Sequence, residues 1–196
     1  MTSTTTLPAT RIAIALTPDF ADWECALLMA VARSYLGVEV ITASPDGRPV
    51  TSTGGLKVTP DIGYGDLDAA TFDALVIPGG LSWENGAAPD FGTLARSFKE
   101  AGKVVAGICA AASALAATGV LDDVVHTGNR LASHQAYPAY RGTAHYRDQP
   151  QAMSNSRVVT APGTAPVSFT TEILKALDLW TPEAQDEITA FAGEHR

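Results

Sequence analysis

The stretch KVVAGICAAASAL, residues 103–115, decides how this chain folds. Its first half is a short apolar run typical of a buried β-strand, and its second half is a string of small helix-forming residues. Cys109 lies at the junction, with Gly107 and Ala111 two residues before and after it. Small residues there allow a tight strand-to-helix turn, a nucleophile elbow, which exposes the side chain at its tip. The pattern favours a nucleophile at Cys109, and the alternative is an inert buried thiol.

Buried strands and helices alternate on both sides of this junction. Apolar runs occupy 11–16, 38–44, 72–80 and 157–161, and the segments after them show the helical spacing of apolar residues. A short strand or hairpin is expected within 51–61. Strands that alternate with helices form βαβ units. We therefore predict an α/β fold with a mostly parallel central sheet and helices on both faces.

Composition sets the class of protein. The 196 residues are 46% hydrophobic and 17% charged, which suits one globular domain. We assign residues 1–10, which are polar, to a flexible N-terminal tail and residues 11–196 to a single domain. The net charge of −8, with no basic stripe, argues against a nucleic-acid partner.

Location and metal binding follow from what the sequence lacks. Its polar start has no apolar centre of the signal-peptide type, and no apolar run approaches the roughly 20 residues that cross a bilayer. We therefore expect a cytoplasmic protein with no membrane partner. The two cysteines, Cys25 and Cys109, are too few for a disulfide framework, and no Cys/His spacing suggests a metal site.

Three chemically suggestive features fall at the carboxyl ends of predicted strands, where parallel sheets form their ligand sites. Glu24 comes shortly after the first strand, Gly79 and Gly80 end the third, and Cys109 ends the next. Glycine N–H groups there can stabilise a developing oxyanion together with the amide of Ala110. The plainer alternatives are a surface glutamate and an ordinary Pro-Gly-Gly turn.

Four segments together resemble the DJ-1/PfpI (ThiJ/PfpI) superfamily, which is related to class I glutamine amidotransferases. They are RIAIAL with Glu24 downstream, DALVIPGG, AGICAAASALAATGVL and VVTAPGTAPVSFTTEIL. The resemblance implies a flavodoxin-like three-layer sandwich, a homodimer, and Cys109 as the reactive centre, with neither metal nor cofactor. It also places Glu24 beside the sulfur.

Glu24 can help the cysteine only if its own pKa is raised. A protonated carboxyl can donate a hydrogen bond to a thiolate, whereas an ionised one repels it. The first amides of the helix after Cys109 are expected to lower the thiol pKa.

The sequence leaves open which residue would act as the base that takes the proton of Cys109. In the peptidase-like branch of the superfamily a histidine directly follows the cysteine, and here that position is Ala110, which disfavours peptidase activity. In the DJ-1-like branch a downstream histidine falls at the position of Asn129, which can position a substrate but cannot act as a base near neutral pH. His126 and His145 are the alternative candidates. Trp83 is expected either to wall the pocket or to pack in the core.

The resemblance implies a cysteine-dependent protein that acts on small reactive carbonyls, glyoxalase III- or deglycase-like, or in the oxidative-stress response. In that chemistry the thiolate adds to an aldehyde as a hemithioacetal. One alternative is an amidase or hydrolase of the glutamine amidotransferase type, although no downstream His-x-Glu pair completes a triad. Another is a non-catalytic redox sensor whose thiol oxidises reversibly. The expected partners are a small-molecule substrate and a second copy of the chain.

Overall fold

The computed structural model describes residues 10–193. The predicted tail, apart from Thr10, and His195 lie outside the described residues. The strands are β1 Arg11–Ala15, β2 Glu39–Ser44, β3 Val50–Thr51, β4 Lys57–Val58, β5 Ile62–Gly63, β6 Ala74–Ile77, β7 Val104–Ile108, β8 Met153–Asn155 and β9 Val158–Ala161. The α-helices are α1 Trp23–Ser34, α2 Leu81–Glu84, α3 Gly92–Glu100, α4 Ala110–Ala114, α5 Leu131–Gln135, α6 Pro166–Ala176 and α7 Pro182–Ala192.

Seven of the described strands form one sheet in the order β5-β2-β1-β6-β7-β9-β8. Every neighbouring pair is parallel except β8 and β9, which are antiparallel at one edge. The expected hairpin within 51–61 is confirmed, since β3 and β4 pair antiparallel in a separate two-stranded sheet. The predicted α/β flavodoxin-like fold is thus confirmed.

The sheet separates two hydrophobic cores because successive side chains of a strand point to opposite faces. In β1, Ile12 and Ile14 join the core that contains Phe169 of α6, whereas Ala13 and Ala15 join the core that contains Phe98 of α3. The central strands β6, β7 and β9 are buried along their whole length. Continuous apolar strands in the sequence therefore correspond to a sheet covered on both faces.

The segment between the 3₁₀ turn Leu115–Thr118 and β9 is the part of the fold that the sequence pattern did not reveal. It contains the five-residue helix α5, a short 3₁₀ turn at Thr143–His145 and the edge strand β8. A buried aromatic cluster stabilises it, in which the ring of His126 lies 5.5 Å from that of His134 and 5.7 Å from that of Tyr140. No helix in residues 10–193 is long and apolar enough to cross a membrane.

The two cores predict additive effects of substitutions on stability. Phe98 and Phe169 are both fully buried but lie on opposite faces of the sheet. We expect Phe98→Leu and Phe169→Leu each to lower the free energy of unfolding by about 1–2 kcal/mol, since each leaves a small void. The double variant should lose the sum, because distant sites with no shared contacts act independently. Chemical denaturation measures all three, and marked non-additivity would contradict the separation of the cores.

Candidate active site at the strand-to-helix elbow

Cys109 occupies the tip of a sharp turn between β7 and α4. Its backbone has φ +59° and ψ −127°, a conformation that non-glycine residues rarely adopt and that costs about 1–3 kcal/mol. Its N–H donates a hydrogen bond of 2.9 Å to the carbonyl oxygen of Ala161 at the end of β9. A Cβ on Gly107 would lie 2.8 Å from a methyl carbon of Leu115, so this turn requires the small residue seen in the sequence. The structure therefore has the elbow geometry.

Glu24 lies beside the thiol although it belongs to the first turn of α1. Its side chain is 1% exposed, and its Oε2 accepts a hydrogen bond of 2.6 Å from the N–H of Gly79. Its Oε1 has no hydrogen-bond partner among the described residues. A Cβ added to Gly163 would lie 3.0 Å from this oxygen and 2.7 Å from the sulfur of Cys109. Gly163 therefore allows the two side chains to fit together.

Burial sets the protonation of both groups. It raises the pKa of Glu24 to about 7, against the opposing effects of the hydrogen bond from the N–H of Gly79 and of the neighbouring Cys109 thiol. Burial, followed by the negative charge of Glu24, raises the pKa of Cys109 to about 11, although Asn129 and the N–H of Ala110 act in the opposite direction. The expectation that helix amides give a lowered thiol pKa is wrong, because burial and the neighbouring carboxylate outweigh them.

Cys109 and Glu24 consequently titrate as a coupled pair. Between pH about 7 and about 11 the pair carries one negative charge and one proton. The N–H of Gly79 favours the charge on the carboxylate, whereas Asn129 and the N–H of Ala110 favour it on the sulfur. A ligand that reacts with the sulfur can therefore draw on a proton already held within the pair.

Asn129 contacts the sulfur directly. Its Nδ2 donates to the sulfur of Cys109 at 3.4 Å, and its Oδ1 accepts from the N–H of Gly163 at 2.9 Å. The second contact orients the amide, because only its oxygen can accept from an N–H. Asn129 is therefore a fixed hydrogen-bond donor that takes up no proton near neutral pH.

The structure brings neither candidate histidine to Cys109. His126 is fully buried, and its two ring nitrogens contact the carbonyl oxygen of Val124 at 2.8 Å and the hydroxyl of Tyr140 at 2.7 Å. Burial also lowers its pKa. His145 lies in the 3₁₀ turn, where its carbonyl oxygen accepts from the N–H of His126. Within residues 10–193 neither imidazole ring is hydrogen-bonded to the sulfur of Cys109, so the geometry does not support either as the base.

Gly80 and Ala110 are the candidate oxyanion donors. The N–H of Gly79 is already bonded to Glu24, so it is not available to a substrate. Gly80 has φ +142°, and a Cβ there would collide with the carbonyl oxygen of Asp19, so glycine is required. Within residues 10–193 the N–H of Gly80 donates to no partner. The N–H of Ala110 faces the sulfur and favours its ionised form.

A cavity of about 760 Å³ opens beside these groups. It is lined by Trp83, Glu84, Ala110, Ser113, Asn129, Arg130, Ser133, Ala136 and Tyr137. Ser113 is buried, and its hydroxyl has no partner among the described residues. Trp83 both lines this cavity and packs against the core on that face of the sheet, and its indole N–H donates to the carbonyl oxygen of Pro78 at 3.1 Å.

Several residues of the site were missed in the sequence. Gly163 follows Pro162 at the end of β9, which is the same pattern as Pro78-Gly79 after β6, and this parallel could have revealed it. Ser113 and Tyr137 carried no signal, because their place at the cavity depends on how α4 and α5 pack.

A cysteine on a sharp strand-to-helix turn beside a buried glutamate, at the carboxyl end of a mostly parallel sheet, defines a class of α/β proteins with a candidate thiol site. The sequence profile of the DJ-1/PfpI family matches residues 10–176, and the chain belongs to that family.

Known proteins support this assignment. The crystal structure of the DJ-1 superfamily protein Atu0886 from Agrobacterium tumefaciens superposes with a TM-score of 0.94 and 68% identity, over 95% of this chain and 100% of that chain. The uncharacterized protease YoaZ of Bacillus subtilis is 33% identical over 83% of this chain and 81% of its own. The glutathione-independent glyoxalase DJR-1.2 of Caenorhabditis elegans is 29% identical over 72% of this chain and 75% of its own.

The strained backbone of Cys109 predicts an unusual ranking of two substitutions. Alanine at position 109 must adopt the same positive φ and keeps the backbone strain, whereas glycine adopts this φ without strain. We expect Cys109→Gly to be more stable than Cys109→Ala by about 1–2 kcal/mol in the free energy of unfolding. The matched control is Ser97 in the middle of α3, where the alanine variant should be the more stable. The same order at both positions would contradict strain at the elbow.

The raised pKa of Glu24 predicts how its replacement changes the pH dependence of stability. The folded protein holds this proton up to pH about 7, whereas the unfolded chain releases it near 4.5. Stability from Glu24 is therefore complete below pH 4.5 and is lost as pH rises through 7. Relative to Glu24→Gln, the wild type should lose about 3 kcal/mol across this range. Denaturation of both proteins at several pH values measures the difference, and a constant difference would contradict the shift.

Proposed function

We propose that this protein converts small 2-oxoaldehydes, such as methylglyoxal, into 2-hydroxy acids. Cys109 is the nucleophile and Glu24 carries the proton. The observation that carries the proposal is the unpartnered, buried Oε1 of Glu24 beside the sulfur, on a carboxyl whose pKa is raised to about 7. A group of this pKa can both give and take a proton near neutral pH. The name of the related DJR-1.2 protein, a glutathione-independent glyoxalase, supports the same chemistry.

The reaction begins within the Cys109–Glu24 pair. The thiol proton passes to Glu24, and the sulfur attacks the aldehyde carbon of the substrate. The carbonyl oxygen becomes an oxyanion that the N–H groups of Gly80 and Ala110 stabilise. Glu24 then protonates this oxygen, which gives a hemithioacetal and returns Glu24 to its carboxylate form.

Glu24 next moves a proton between carbons. Its carboxylate removes the hydrogen from the former aldehyde carbon, which forms an enediol with the neighbouring carbonyl. It then delivers the proton to that neighbouring carbon, while the hydroxyl proton of the former aldehyde carbon moves to the neighbouring oxygen, which gives the thioester of a 2-hydroxy acid. Water hydrolyses the thioester, releases the acid and restores the thiol. One carbon is oxidised and the other reduced, so no external electron acceptor is needed.

Asn129 takes a supporting part in this scheme. Its amide donates to the sulfur and cannot remove a proton, so proton transfer rests on Glu24. A hydrolase of the amidotransferase or peptidase type needs an imidazole that activates the thiol and protonates the leaving amine. The ring nitrogens of His126 are bonded to other groups, which supports the aldehyde reaction over amide hydrolysis.

A second candidate function is a thiol redox sensor, favoured by the donors around the sulfur. Thiolate attack on a peroxide oxygen gives a sulfenic acid and releases water. The Nδ2 of Asn129 and the N–H of Ala110 are placed to hold an oxygen bound to the sulfur. Such a protein consumes peroxide stoichiometrically and turns over no aldehyde.

The proposed enzyme activity predicts a defined pH profile and two inactive variants. We expect lactate from methylglyoxal without glutathione, with kcat/KM rising through pH about 7 as the pair releases its first proton. Cys109→Ala and Glu24→Gln should each lose at least about 100-fold. Cys25→Ala is the matched control, because Cys25 lies in the apolar core.

Lactate formation followed by chromatography decides between the candidates. Equal rates in the wild type and Cys109→Ala would contradict the enzyme assignment. Absence of aldehyde turnover, together with one equivalent of peroxide consumed at Cys109 by peptide-resolved mass spectrometry, would favour the sensor.

A further inference from the structure

A second, apolar cavity of about 240 Å³ lies next to the cavity of about 760 Å³ described above, which we call the reaction cavity. Its lining is Ile77, Trp83, Gly86, Ala88, Pro89, Asp90, Phe91, Ala111, Ala114, Leu115, Ala117, Thr118 and Tyr137. Two polar side chains of this lining are hydrogen-bonded to nearby backbone groups. Asp90 accepts from the N–H of Gly92 at 2.7 Å, and the hydroxyl of Thr118 donates to the carbonyl oxygen of Leu115 at 2.7 Å. The cavity therefore favours an apolar occupant.

The two cavities share walls. Trp83 and Tyr137 line both of them. Helix α4 presents Ala110 to the reaction cavity and Ala111 and Ala114 to the apolar one. Because Ala110 directly follows Cys109, a molecule bound to the sulfur has the apolar cavity within one helical turn.

The size and walls of the apolar cavity suit an aromatic ring. An apolar cavity of about 150 Å³ is enough to bind benzene in a protein interior, and this one is larger. Trp83 offers a ring surface that is held in place, since its N–H is bonded to Pro78 and its ring lies 5.5 Å from that of Phe91. The alanine side chains of α4 that line the cavity, Ala111 and Ala114, are small and leave room for a ring.

We propose that this cavity binds the apolar substituent of the substrate, and that the preferred substrates are 2-oxoaldehydes with an aromatic substituent. This assignment rests on the proposed function for its reactive end. The aldehyde carbon lies at Cys109, and the ring passes Trp83 and Tyr137 into the apolar cavity. Methylglyoxal, whose methyl group is too small to reach the cavity, is then a poorer substrate than phenylglyoxal.

Binding to the inactive Cys109→Ala protein tests the cavity without turnover. The probes are mandelate and lactate, which are the 2-hydroxy acids formed from phenylglyoxal and methylglyoxal. We expect calorimetry to show mandelate binding at least about tenfold more tightly, because burial of each CH₂ group is worth about fourfold. Equal affinities for the two acids would overturn the proposal.

Variants that fill the apolar cavity test whether the ring of mandelate binds there. Ala114→Leu places a larger side chain in the cavity, and Ala117→Phe does so from an exposed position that tolerates substitution. In the Cys109→Ala background, both should reduce mandelate affinity about tenfold and leave lactate affinity unchanged. Ala190→Phe, at an exposed position on α7, is the matched control. Unchanged mandelate affinity in both filling variants would overturn the assignment.

Turnover separates this proposal from the function on which it rests. In the wild-type background the ratio of kcat/KM for phenylglyoxal to that for methylglyoxal should exceed tenfold and fall toward one in Ala114→Leu. If neither aldehyde is converted but mandelate still binds selectively, the proposed function fails and the apolar cavity stands. If both are converted with a ratio that Ala114→Leu does not alter, the substrate assignment fails and the function stands.

Discussion

The close approach of two ionisable groups, the Glu24 carboxyl and the Cys109 thiol, is the constraint on which the site depends. Glu24 is buried and Cys109 is partly buried, which disfavours the charged form of each, and above pH about 7 the pair carries a single negative charge. One N–H donor supports the carboxylate, while an amide and a second N–H support the sulfur. The balance of these donors determines where the proton lies when a substrate arrives.

Glycines allow the side chains of Glu24 and Cys109 to lie this close together. A side chain on Gly79 would contact Cys109 and Glu24 from one direction, and one on Gly163 would do so from another. The positive φ of Cys109 is held by its hydrogen bond to Ala161 and by the packing of β7 between β6 and β9. Strain at Cys109 is thus sustained by the most deeply buried part of the sheet, which local fluctuations disturb least.

Much of this arrangement could be predicted because parallel strands bring their carboxyl ends to one edge. Cys109, Glu24 and Gly80 follow separate strands, and the order of these strands places all three together. The base assignment could not be predicted in the same way. His126 and Asn129 are three residues apart in one irregular segment, and only the packing of His126 with Val124 and Tyr140 determines which of them faces the sulfur.

The sequence by itself determined the alternation of strands and helices, the elbow at Cys109 and the membership of the family, since these depend on local periodicity and short motifs. Only the tertiary structure decided the raised pKa values of Cys109 and Glu24, the orientation of Asn129 and the presence of the apolar cavity. A pKa depends on burial and on charges contributed by distant segments. A cavity likewise depends on how helices and loops remote in sequence pack, which no single stretch of the chain encodes.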